Sequence, residues 1–90
     1  MARIPSICIP KIDSNITRGN IISVFEKILG KNCINKIELM RNNNNTVLIY
    51  FGNCNNNKNT NLIMDRLNNN LDFKIVNKNQ IWKCYKNNSV

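Results

Sequence analysis

Residues 46–51 read Thr-Val-Leu-Ile-Tyr-Phe, a run of β-branched, aromatic and leucine side chains with four asparagines before it and Gly52 after it. Residues of this kind suit a pleated, half-buried surface. A strand needs partners for its backbone N–H and C=O groups and a cover for its apolar side. The rest of the chain must supply both.

Candidate partners are legible by their alternation. Ser6-Ile7-Cys8-Ile9-Pro10 places two isoleucines on one side of a strand, with Pro10, which lacks an N–H, expected at its end. Ile34 to Met40 forms a second alternating segment, joined to Thr46–Phe51 through a turn at Asn42 to Asn45, residues that tolerate left-handed backbone. Asp72-Phe73-Lys74-Ile75-Val76, a turn at Asn77 to Gln80, and Ile81 to Lys86 read as a closing hairpin. Two helices provide the cover. Thr17 is placed to cap the first, whose apolar face is Ile21, Val24, Phe25, Ile28 and Leu29, with Gly30 at its end. Thr60 is predicted to cap the second, carrying Leu62, Ile63, Met64 and Leu67, with Leu71 closing its end. The asparagine clusters fall where turns are needed.

The order is β-α-β-β-α-β with an extra strand before the last. This predicts an α+β fold, a ferredoxin-like βαββαβ sandwich with a four-stranded antiparallel sheet and both helices on one face. Ninety residues fit one domain, over residues 4–86, with short tails at 1–3 and 87–90. No apolar run reaches the roughly 20 residues of a membrane span, and the opening residues lack the apolar region of a secretory leader. The expectation is an intracellular, cytoplasmic protein.

The chemistry-bearing residues are few. There is no histidine, no glycine-rich phosphate loop, and the five acids are scattered. General acid–base, nucleophilic and phosphate-loop chemistries therefore lack their parts, and no enzyme or cofactor is expected. Cys8, Cys33, Cys54 and Cys84 form no CxxC pair, so no metal site is expected and all four are read as reduced, partly buried thiols. Thirteen basic residues against five acidic ones give a net charge of +8, which favours a polyanion or an acidic protein surface. Lysine, isoleucine and asparagine are also the residues of AT-rich codons, so part of this charge is compositional.

Ile7-Cys8-Ile9-Pro10-Lys11-Ile12 and Asn44 to Phe51 align with the two short signatures of the RNA-recognition motif, and the chain resembles that family over residues 4 to 86. Val47, Ile49 and Phe51 match core positions of the second signature. Cys8 stands where the first signature has a base-stacking aromatic, Thr46 and Leu48 replace two more, and Asn44 and Asn45 replace the opening basic residue and glycine. The segments SICIPKIDSNIT, IISVFEKILG, KNCINKIELM, FKIV and IWKCYK are similar to those of small RNA-recognition-motif-like proteins of giant DNA viruses. That similarity implies a viral protein, located in the virion or the viral factory if not free in the cytoplasm, and brings no catalytic residues.

Alternation sorts the two sides of the sheet. Ile7, Ile9, Ile37, Leu39, Val47, Ile49, Phe51, Trp82 and Cys84 are predicted to face the helices. Ser6, Cys8, Lys36, Glu38, Met40, Thr46, Leu48, Tyr50, Ile81, Lys83 and Tyr85 are predicted to face away, so Cys8 and Cys84 should not pair. Two functions fit that open side. In one, Tyr50 and Tyr85 stack bases while Lys83, Lys36, Lys11, Arg41 and Lys86 contact phosphates, giving weak binding of single-stranded RNA. In the other, Cys8, Leu48, Met40 and Ile81 form an apolar centre that binds an acidic protein partner, the chain being a subunit of a ribonucleoprotein or viral assembly. Tyrosines and lysines are also ordinary tenants of a solvated strand face.

Overall fold

The computed structural model describes residues 4–41, 45–52, 54 and 57–87. In chain order the elements are β1 (Ile7–Ile9), α1 (Arg18–Leu29), β2 (Ile34–Met40), β3 (Thr46–Phe51), α2 (Lys58–Asn68), β4 (Phe73–Asn77) and β5 (Gln80–Lys86). The strands form one sheet in the order β2-β3-β1-β5-β4, every neighbouring pair antiparallel. The architecture is α+β, two helices and a five-stranded antiparallel sheet. It differs from the predicted four-stranded sheet because the extra strand is a full member. β4 pairs with β5 from Phe73↔Cys84 to Asn77↔Gln80, and so continues the sheet by one strand. The turn is tighter than expected: Asn77 and Gln80 belong to the ladder, and Lys78, at φ 56°, opens the short connection.

α1 begins where the sequence places it. The Thr17 hydroxyl accepts from the Asn20 backbone N–H at 3.2 Å, and the Asn20 side-chain carbonyl accepts from the Thr17 N–H at 2.9 Å. This reciprocal pair satisfies donors that the first turn leaves free. Gly30, at φ 101°, ends the helix in a conformation that costs glycine little. α2 corrects the prediction at its start. Its cap is Asn57, whose side-chain carbonyl accepts from the Thr60 N–H at 2.8 Å and from the Thr60 hydroxyl at 3.0 Å. Thr60 lies inside the helix and is wholly buried. Leu62, predicted on the apolar face, points outward instead, and the buried set is Thr60, Ile63 and Leu67. At the other end, Asn70 at φ 58° donates to the Leu67 carbonyl and Leu71 donates to that of Arg66, the Schellman arrangement. The end is closed by Leu71's backbone, while its side chain stays half-exposed.

One core joins the layers. Ile21, Phe25 and Leu29 of α1 and Ile63 and Leu67 of α2 pack with Ile7, Ile9, Ile37, Val47, Ile49, Ile75, Trp82 and Cys84 of the sheet. Leu39 and Phe51 are half-buried against the same cluster, and Phe51 meets Phe25 edge-on at 5.9 Å. Trp82 is buried, and its indole N–H donates to the Gln80 side-chain carbonyl at 3.1 Å. Asn87, assigned to the tail, donates its N–H to the Ser6 carbonyl at 2.8 Å and continues the backbone pairing past β5. Tail residues 1–3 and 88–90, and Asn42 to Asn44 of the predicted turn, lie outside the described residues.

The expectation of four reduced thiols is overturned. Cys33 and Cys54 form a disulfide, with their Cα atoms 4.9 Å apart. Pairing of β2 with β3 ends at Ile34↔Phe51, and the Gly52 N–H donates to the Cys33 carbonyl at 2.8 Å. The register thus brings together two cysteines 21 residues apart. Cys8 and Cys84 are free thiols on opposite sides of adjacent strands, as alternation predicted.

Candidate nucleic-acid interface

The side of the sheet away from the helices is built from registered rows. Glu38, Leu48, Cys8 and Tyr85 lie side by side across β2, β3, β1 and β5. Lys36 pairs with Tyr50, Met40 with Thr46, Lys74 with Lys83, and Val76 with Ile81. These positions alternate with the buried set, so the face is fixed by the same hydrophobic pattern that fixes the core.

Function-bearing residues divide between two halves of this face. On the β2–β3 half, the Lys36 ammonium lies 5.9 Å from the centre of the Tyr50 ring and 3.1 Å from a Glu38 carboxylate oxygen. That tyrosine and lysine engage one another, and the lysine's charge is matched. On the β1–β5–β4 half, an open groove of about 520 Å³ is lined by Pro10, Lys11, Lys74, Ile81, Lys83 and Tyr85. Among the described residues its lining holds three lysines, one aromatic ring and no acid. Lys74 and Lys83 face each other directly across two strands, where like charges destabilise a pair. With Lys11 beside them they produce a local positive field that an anion would relieve.

The structure therefore gathers Lys11, Lys83, Tyr85 and Ile81 from the predicted set into one groove, and sets Cys8 and Leu48 in a row beside Tyr85. It does not bring Tyr50 to Tyr85, since β1 lies between their strands. Arg41 is tied elsewhere: its guanidinium donates to the Ser14 carbonyl at 2.7 Å and to the Ile16 carbonyl, holding the segment before α1. Lys86 shares the parity of Trp82 and Cys84 and pairs with Ile7, so it belongs to the helix side rather than the open face. Met40 is half-buried opposite Thr46, away from the groove. Lys74 is the residue that sequence reasoning missed. The alternation in Phe73-Lys74-Ile75-Val76 places it outward, but only once that segment counts as a member of the sheet.

Neither free thiol is suited to nucleophilic chemistry. Burial pushes the Cys8 thiol up. Burial, and then the nearby Cys8, push that of Cys84 up to about 12. A thiol held protonated is a poor nucleophile and a poor metal ligand. Among the described residues, no group of three His, Cys, Asp or Glu side chains could hold a metal ion, and no helix is long and apolar enough to cross a membrane. Compared with known proteins, the chain matches no family model, no curated protein and no solved structure.

Proposed function

We propose that this is a non-enzymatic RNA-recognition-motif-like module of ferredoxin-like fold, binding single-stranded RNA weakly through its open sheet face. The observation that carries the proposal is the groove in which Tyr85 lies with Lys11, Lys74 and Lys83 and no acid. A ring can stack on any base, at about 1–3 kcal/mol per base, and lysines can follow the phosphates on either side. The strand order also supports it, since the four strands other than β4 stand as a βαββαβ sandwich requires. Tyr50, already engaged by Lys36, contributes less than Tyr85.

The test is fluorescence anisotropy with a labelled single-stranded oligoribonucleotide over a range of salt. Affinity should fall steeply with salt, and each lysine-to-alanine change at Lys11, Lys74 or Lys83 should flatten the slope by about 0.7. Joint replacement of Tyr50, Lys83 and Tyr85 by alanine should abolish binding; unchanged affinity in that variant would refute the proposal. A second use of the face, as a contact for an acidic protein partner, is favoured by the Val76–Ile81 pair, which is 72% and 61% exposed. Such binding would tolerate salt better than RNA binding does and depend on Cys8, Leu48 and Ile81.

A further inference from the structure

The two edges of the sheet are unlike. β2 carries Lys36 and Glu38 as an ion pair, and the Cys33–Cys54 bridge lies at its start. Among the described residues β4 is bonded on one side only, to β5, and exposed apolar side chains surround it. Val76 and Ile81 project on the open face, Leu62 on the helix side, and Leu71 in the loop before the strand. On the helix side a groove of about 210 Å³ runs along β4, its apolar wall formed by Leu62, Ile63, Phe73 and Ile75, with Arg66 and Lys74 also in its lining. Free edges are usually blunted by proline, repeated charge or cover. β4 has a single lysine in five residues and no proline.

We propose that the β4 edge is a strand-addition site for an extended segment of a partner protein in which apolar and acidic residues alternate. An added strand takes up the free N–H and C=O groups of the edge and sends successive side chains to opposite sides. One set enters the helix-side groove against Leu62, Ile63 and Phe73, and so must be apolar. The other set lies beside Lys74 and Val76 on the open face. Charge selects the occupant. Lys74 faces Lys83 and Lys78 lies in the adjoining turn, so carboxylates in the open-face set are complementary. The same positive charge, +8 over the chain, works against a second copy. The two sites share Lys74, but Leu62 lines only the helix-side groove, so a change at Leu62 tests strand addition apart from the RNA proposal.

The probe is a short labelled peptide alternating Asp with Val or Ile, titrated against an isomer of the same composition with its Asp residues grouped. The alternating peptide should bind at least about tenfold more tightly. Leu62→Lys should remove that preference and leave the RNA titration unchanged. Equal affinity for the two peptides, or insensitivity to Leu62→Lys, overturns the proposal. Amide exchange along β4 in the unaltered protein decides independently of any variant: slowing when the peptide is added supports strand addition, and unchanged exchange refutes it. Dimerisation of the free chain that Leu62→Lys dissolves would assign the edge to a second copy, and would also overturn it.

Discussion

Cys84 has no exposed surface, and its thiol is pushed up to about 12 from 9.0 by burial and by Cys8. The unfolded chain releases this proton near the ordinary value while the folded chain keeps it. Its contribution to stability is therefore full below 9.0 and is lost as pH rises toward 12. In that window the loss should approach about 1.4 kcal/mol per pH unit. Urea unfolding on either side of pH 9.0 should show the decline, and Cys84→Ala should remove this part of it at some cost in packing. At this scale the sequence was informative about sides and silent about partners. Alternation placed Cys8 outward and Cys84 inward. It could not reveal that Arg41, an exposed cation by composition, would spend its donors on the carbonyls of Ser14 and Ile16, which a chain reversal brings within reach.

Among the elements, α1 was readable because its apolar spacing, its threonine cap and its terminal glycine all agree. The start of α2 was not. Its approach, Asn55-Asn56-Asn57-Lys58-Asn59-Thr60, offers several residues able to cap, and only packing selects Asn57 by burying Thr60. Asn57→Ala removes the acceptor for both the N–H and the hydroxyl of Thr60 and should cost about 1 kcal/mol or somewhat more, measured by denaturant unfolding. β4 was legible as a strand but not as a fifth member of the sheet, and Lys74 was overlooked for that reason. Lys74→Glu makes a test with opposed signs. It replaces a like-charge pair with an opposite one, so stability should rise by about 0.2–1 kcal/mol, while affinity for single-stranded RNA falls. A parallel change in both quantities would mean that Lys74 serves the fold and not the groove.

For the whole molecule, the β2–β3 half is covalently closed and the β5–β4 half is open. Closing the loop between Cys33 and Cys54 restricts the unfolded chain, which in the chain-entropy account contributes about 3 kcal/mol, a large share of what a domain this small possesses. Denaturant titrations with and without dithiothreitol should differ by about that amount. A Cys33→Ser, Cys54→Ser double variant should resemble the reduced protein. The bridge escaped sequence reading because it depends on register, a property of two strands together, whereas spacing along the chain describes only one. Once Ile34 is set against Phe51, Cys33 lies beside Gly52, two residues short of Cys54, and the two cysteine Cα atoms stand 4.9 Å apart, within bridging range.

The same bridge changes what a protease can accomplish. A single backbone cut anywhere between Cys33 and Cys54 leaves both fragments joined, with the nicked protein holding its full mass on a non-reducing gel. With reductant it separates into two bands. Nicking and dissociation become separable events, and the asparagine-rich connection after Met40 can be cleaved while the two halves of the domain remain tethered.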